Sequence, residues 1–131
     1  MNKETLPVGN ISPLSDRVGA AAEGTIPADA EFFQDHFPEF PILPGVLTLE
    51  ILRKTIAGYF ESRETGAGES LKLRQVRAVK FSHYLRPGAR WRSRVERTGD
   101  EGGLSQWRGE LRNEAGEIAA AAKFVFEKAG S

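Results

Sequence analysis

The 131-residue chain contains no cysteine, only two histidines and no long run of apolar residues. Without thiols it can form no disulfide, has no thiolate nucleophile and offers no cysteine ligand to a metal. The N-terminal residues lack a basic stretch followed by an apolar core, and no segment reaches the length of a membrane-spanning helix. We therefore expect a cytoplasmic protein that does not associate with a membrane.

The chain also lacks a net charge, because 18 Lys and Arg side chains balance 18 Asp and Glu side chains. The distribution is nevertheless uneven, since residues 70–97 carry nine basic and one acidic side chain while residues 1–69 carry five basic and eleven acidic ones. The basic block either faces an acidic partner or forms the solvated face of strands. We expect no nucleic-acid partner.

Hydrophobic patterning predicts a single α+β domain over residues 1–131, with residues 1–13 loosely packed. A weak strand is expected between Leu14 and Ile26, followed by a helix from Pro44 to about Arg63. Apolar positions cover most of the helix circumference, as is typical of a buried helix. From Leu71 to Phe126 apolar residues alternate with polar ones, which predicts a four-stranded antiparallel meander that curls around the helix.

His36 and Glu50 are candidate proton-transfer residues because of the segment between them. This segment is an aromatic, proline-containing loop that ends in Pro44-Gly45, a suitable helix start. A neutral imidazole is an effective base near pH 7. A carboxyl group in an apolar helix favours its protonated form and can serve as an acid. The backbone N–H of Gly45 at the helix N-terminus is a natural donor to a developing oxyanion. The segment therefore predicts proton transfer beside a carbonyl group.

Each of these residues also has a purely structural interpretation when it is taken alone. His36 would pack in the loop, Glu50 would pair with Arg53 or Lys54 one turn along the helix, and His83 would be a structural residue of its strand. A metal site is not expected, because no second histidine stands at a suitable spacing from His36.

The segment from Phe32 to Glu50 closely resembles the active-site signature of the hotdog-fold β-hydroxyacyl-acyl-carrier-protein dehydratases of type II fatty acid synthesis. The shared pattern is Phe-Phe-x-x-His-Phe-Pro, a proline three residues later, Pro-Gly-Val-Leu and then a helical glutamate. The interval of 14 residues between His36 and Glu50 matches the pattern of that family. Weaker similarity extends to Lys80-Phe81 and to residues 86–88.

The resemblance implies a hotdog fold and a cofactor-independent lyase that converts a (3R)-hydroxyacyl thioester on an acyl carrier protein into the trans-2-enoyl thioester. His36 would be the base, Glu50 the acid and the Gly45 N–H the oxyanion donor. The chain would form a homodimer whose two composite sites each combine residues of both subunits, and such dimers assemble further in some members. The resemblance also implies a cis peptide at His36-Phe37. The residues expected to contact the acyl chain are Phe33, Phe37 and Val46, and those expected to dock the carrier are Arg86, Arg90, Arg92 and Arg94.

Two departures from the family pattern keep other functions open. Asp35 stands where the family usually has glycine, and Lys54 stands where a glutamine commonly follows the glutamate by one helical turn. A cation at that position favours an ionised carboxylate, which is a poor general acid. A hotdog acyl thioesterase and a non-catalytic acyl-binding or assembly subunit with a relic site therefore remain alternatives.

Overall fold

The computed structural model describes residues 9–27, 45–63 and 71–128. One helix packs against a six-stranded, fully antiparallel sheet in the spatial order β1-β2-β4-β5-β6-β3. This is the hotdog architecture that the resemblance implies. The elements are β1 (Gly9–Pro13), β2 (Gly19–Thr25), α1 (Gly45–Arg63), β3 (Leu71–Phe81), β4 (Arg90–Glu101), β5 (Leu104–Asn113) and β6 (Ile118–Lys128).

The helix α1 buries the side that faces the sheet. Leu52, Ile56 and Phe60 are fully buried, and their spacing of four residues brings the side chains to one face of the helix. In contrast, Val46 in the first turn is 67% exposed. The predicted helix is therefore confirmed over its described residues. In its first turn, however, the rest of the chain leaves the side chain of Val46 uncovered.

The core lies between α1 and the three neighbouring strands β4, β5 and β6. Trp91 on β4, Trp107 on β5 and Phe124 on β6 are each at most 2% exposed, as the alternation of these strands predicts. Gly109 allows the helix to approach closely, because a Cβ there would lie 3.2 Å from Leu52 Cδ1. Full burial of large aromatic side chains makes this region the main source of hydrophobic stabilisation.

A buried pair of hydroxyl groups also joins the helix to the sheet. Thr55 Oγ1 donates to the backbone oxygen of Ile51 at 2.9 Å, and it lies 2.8 Å from Ser93 Oγ on β4. Since the single hydroxyl proton of Thr55 is used in the first bond, Ser93 donates in the second. Both hydroxyl oxygens are thus satisfied inside the core.

Three sequence-based expectations about the strands are wrong. Residues 9–13 form β1, paired with β2, where loose packing was expected. The strand β3 pairs with β6, so it lies at the sheet edge and is no neighbour of β4 in a meander. Its predicted buried face is also not observed, since Leu73 and Val79 are 39% and 41% exposed, and two register shifts interrupt its pairing with β6.

Candidate active site

Of the six residues predicted for the site, the structure describes three. Gly45, Val46 and Glu50 lie in the first two turns of α1. The predicted cis peptide bond and the neighbouring Asp35 fall outside the described ranges, as do the other three site residues: Phe33, His36 and Phe37.

Gly45 opens the helix and meets an aromatic ring from β3. A Cβ on Gly45 would lie 2.9 Å from Phe81 Cζ, a distance that real Cβ contacts do not show. Glycine is therefore needed if the ring of Phe81 is to lie against the first turn. The ring remains 49% exposed on its other side. The sequence pattern does not assign Phe81 to the site, although Lys80-Phe81 belongs to the weaker similarity beyond the main segment.

Glu50 is partly buried and forms an ion pair with Arg53 on the same helix. The side chains are 12% and 38% exposed, respectively. Arg53 Nε donates to both carboxylate oxygens at 3.1 Å, and Nη2 donates to Oε1 at 2.5 Å. These hydrogen bonds raise the pKa of Arg53 above its ordinary value, and the charge of Glu50 adds to the effect against the opposing influence of burial.

The ion pair bears directly on the chemistry expected of Glu50. A guanidinium group at hydrogen-bonding distance favours the carboxylate over the protonated acid. The pairing of Glu50 with Arg53, one of the two structural pairings expected from the sequence, is confirmed. Lys54, the departure from the family pattern, is half-buried on the same helix.

Large apolar side chains are exposed around the start of α1 and the end of β3. We call this region the open edge, and it comprises Val46 (67% exposed), Val79 (41%), Phe81 (49%) and Tyr84 (72%). The strand β3 has a neighbour on one side only, so it also presents unpaired backbone groups. Ala78 in this strand has a φ of 55°, and the distortion falls at the register shift. Exposed apolar residues beside an edge strand are typical of a protein interface.

The basic block lies largely on the solvent face of the sheet. Arg92, Arg94 and Arg112 line a cavity of about 420 Å³ together with Glu23 and Glu110. This cavity is lined by none of the predicted site residues. The solvated strand face, one of the two interpretations of the block, is thus observed for β4.

His83 is a surface residue that follows β3. It is exposed, and its Nε2 atom lies 3.6 Å from Glu117 Oε2. Within the described ranges, no group of three or more histidine, aspartate or glutamate side chains is arranged to hold a metal ion. Nor does any helix in the described part of the chain combine the length and apolar character that a bilayer span requires.

The family model for ApeI-like proteins, described as ApeI dehydratase, matches residues 14–120. The chain belongs to the ApeI-like dehydratase family. The match covers α1 and β2 to β5 as well as the segment between Phe32 and Glu50 that carries the resemblance. The expectation of a hotdog-fold dehydratase, and therefore of a hydro-lyase, is confirmed.

Relatives with similar sequences are named as dehydratases. The chain is 30% identical over 131 residues to the 3-hydroxyacyl-[acyl-carrier-protein] dehydratase FabZ of Bacillus cereus, with 95% of this chain and 90% of the relative covered. It is 31% identical over 131 residues to FabZ of Oceanobacillus iheyensis, with 95% and 93% covered. The similarity therefore spans nearly the whole dehydratase domain in both chains.

Solved structures show the same fold in a dehydratase complex and in a protein of a phenylacetic acid degradation operon. The dehydratase heterocomplex ApeI:P of Xenorhabdus doucetiae matches with a TM-score of 0.65 and 18% identity, covering 93% of this chain and 97% of that one. The PaaI protein of the E. coli phenylacetic acid degradation operon matches with a TM-score of 0.68 and 12% identity, covering 91% and 82%. At such identities the structural matches establish the fold alone.

Proposed function

We propose that this dehydratase removes water from a (3R)-hydroxyacyl thioester carried on an acyl carrier protein and releases the trans-2-enoyl thioester. The activity for which the FabZ relatives are named supports this substrate class. The structural observation that carries the proposal is a partly buried carboxylate, Glu50, one turn beyond a helix N-terminus that begins with Gly45. The matching interval from His36 to Glu50 adds the base that this chemistry needs.

In the proposed reaction His36 takes the proton from C2 while the C2=C3 double bond forms. Glu50, in its protonated form, gives a proton to the C3 hydroxyl oxygen as the C3–O bond breaks, so that water leaves. The N–H of Gly45 donates to the thioester oxygen, on which negative charge develops. Each proton transfer by a positioned group contributes about 10²–10⁴ in rate. No cofactor takes part in these steps.

The proposed assembly is a homodimer in which each site combines His36 of one subunit with Glu50 of the other. The exposed apolar residues of the open edge and the unpaired side of β3 support such an interface. Pairing of two β3 strands would satisfy their free backbone groups and cover Val79 and Phe81. Because the structurally similar ApeI:P is a heterocomplex, a second, non-identical chain is the alternative partner.

The proposed carrier-docking residues are Arg86, Arg90 and Arg92. All three are exposed, and within the described ranges none of them forms an ion pair, so their charge is available to an acidic partner. Arg94, also expected there, lies 3.8 Å from Asp16 and 3.9 Å from Glu96 and is partly neutralised. The acyl chain would contact Phe33, Phe37 and Val46, and the proposed location of the enzyme is the cytoplasm.

The direct test follows enoyl thioester formation by its ultraviolet absorbance, with hydroxyacyl substrates of several chain lengths on a carrier protein and on a small thiol. We expect turnover by the wild-type protein and a loss of at least about 100-fold in His36→Ala and Glu50→Gln, since each removes one proton transfer. Absence of turnover at every chain length would overturn the proposal. Release of free thiol instead, detected with a thiol-reactive dye, would establish the thioesterase alternative.

A further inference from the structure

The ion pair at Glu50 is unusual in its geometry as well as its position. The guanidinium group makes three hydrogen bonds to one carboxylate, and two of them converge on Oε1. The carboxylate belongs to a side chain that is only 12% exposed, so water screens the contact less than at an open surface. In the described part of the chain, Glu50 is the one hydrogen-bond partner of Arg53.

We infer that Arg53 is a positioning residue for the dehydration, holding the Glu50 carboxyl group in one orientation and stabilising its carboxylate as the proton passes to the departing hydroxyl. The inference rests on the proposed function of Glu50. It extends that function to a residue that does not itself touch the reacting atoms and for which the sequence predicts only a structural pairing with Glu50.

The orienting part of the role follows from the shape of the two groups. A glutamate side chain has several rotatable bonds, and a group that transfers a proton loses much of its effect when it is misplaced by about 1 Å. The planar guanidinium offers several donors in a fixed arrangement, so it restricts both the position and the rotation of the carboxylate. An ammonium group on a flexible stem provides charge without that restriction.

The electrostatic part of the role follows from the direction of proton transfer. Glu50 begins the proposed step as a neutral acid and ends it as a carboxylate. The contact with Arg53 is stronger for the charged form, so it strengthens during the step, and an interaction that strengthens in the transition state raises the rate. The same contact also reduces the resting fraction of protonated Glu50. The two effects oppose each other, and the sign of the change in an Arg53 variant decides which prevails.

The test compares kcat and KM for wild-type protein, Arg53→Ala and Arg53→Lys on a small hydroxyacyl thioester. We expect kcat to fall about 10- to 100-fold in Arg53→Ala with little change in KM, because orientation is lost while substrate binding is kept. Arg53→Lys keeps the charge, and we expect it to remain well below wild type. Millimolar guanidinium should partly restore Arg53→Ala and leave Arg53→Lys unchanged.

The matched control is Arg112→Ala, which removes an arginine from another carboxylate pair, 3.2 Å from Glu110 on the interior strand β5 and away from the open edge. We expect it to leave kcat unchanged. A kcat in Arg53→Ala that equals or exceeds wild type, with the wild type active, would overturn the inference and leave the dehydratase proposal standing. An inactive wild type would overturn both. If Arg53→Ala does not fold, Arg53→Lys with its kcat and KM decides the question.

Discussion

The two sides of α1 differ sharply in how completely one chain covers them. On the side of β4, β5 and β6, which we call the closed side, Trp91, Trp107 and Phe124 are at most 2% exposed. At the open edge, Val46 and Tyr84 are 67% and 72% exposed, respectively, although their size and apolar character are also suited to a core. The first region is a complete hydrophobic core, and the second has the exposed apolar character expected of the proposed interface.

This difference separates the part of the molecule that maintains the fold from the part in which the proposed site lies. Gly45 and Glu50 lie toward the end of α1 that the open edge surrounds, where Phe81 packs against Gly45. A second chain laid on the open edge would enclose this end of the helix and exclude water from it. Substitutions on the closed side should therefore change stability, whereas those at the open edge should change assembly and activity.

The largest effect is expected for Trp107→Ala on the closed side. Trp107 is fully buried, its ring contacts those of Tyr59 and Phe60, and its Nε1 donates to Ser105 Oγ at 2.7 Å. Removal of the ring leaves a cavity, and we expect a loss of about 3–5 kcal/mol in the free energy of unfolding. Chemical denaturation monitored by circular dichroism measures it. A loss below about 1 kcal/mol would contradict the description of the closed side as the main core.

A charge at the open edge should act on assembly instead. Val79→Asp places a carboxylate in the proposed interface, and we expect dimer affinity to fall by at least about 100-fold, or about 3 kcal/mol, because the charge must be desolvated. Activity should fall with it, while circular dichroism should still report the native sheet. Sedimentation over a range of concentrations measures the affinity. Val18→Asp is the matched control, since Val18 is also 41% exposed but lies outside the open edge. Equal behaviour of the two variants would exclude β3 as the interface.

The hydroxyl pair on the closed side is expected to have an intermediate effect. Thr55→Val keeps the shape of the side chain and leaves Ser93 Oγ buried without its acceptor, so we expect a loss of about 1–2 kcal/mol in unfolding free energy. The double variant Thr55→Val/Ser93→Ala removes both polar groups and should recover part of that loss. A double variant as unstable as the sum of both single variants would show that the two hydroxyls act independently.

The smallest effect is expected for Ala78→Gly in β3. The φ of 55° at Ala78 is unfavourable for a residue with a Cβ, and glycine adopts it freely. The greater conformational entropy of glycine in the unfolded chain opposes this gain. We therefore expect a net increase of about 0.5 kcal/mol in the free energy of unfolding. Ala121→Gly on β6, where no positive φ occurs, should instead lose about 0.5–1 kcal/mol. Thermal unfolding of both variants measures the contrast, and the same sign for both would contradict it.

The sequence predicts the closed side well because each of its strands has one buried and one solvated face. Trp91 and Val95 alternate with Arg92 and Arg94, a pattern that a strand of this kind requires. The alanine-rich β6, for which a helix was also conceivable, forms a strand because it lies between β5 and β3 and faces the core. In β6, packing against the rest of the protein therefore outweighs the helix propensity of the alanine residues.

The strands at the two sheet edges are predicted poorly, for different physical reasons. In β3 the register shifts interrupt the period-two pattern, and pairing with β6 depends on the order of strands in space, which alternation does not encode. In β1 there is little apolar periodicity, yet Ile11 packs against Gly58 on α1, where a Cβ would overlap it. That contact joins residues far apart in the chain and has no local signal.

The candidate site is predicted in part. The spacing of Gly45 and Glu50 from His36 identifies the helix start and its carboxylate, because one short segment carries the pattern. The contact of Phe81 with Gly45 joins β3 to α1, and the choice of Arg53 as a partner of Glu50 depends on side-chain rotamers. The family pattern specifies neither of these, so only the folded chain reveals them.

The central claim is that a complete site forms only where two chains meet at the open edge. Co-expression of His36→Ala and Glu50→Gln chains with different affinity tags, followed by isolation of the mixed dimer, tests it most directly. Each mixed dimer would hold one site with both residues intact, so we expect about half of the wild-type activity per dimer, although each variant alone is inactive. A mixed dimer as inactive as its parents would contradict the claim.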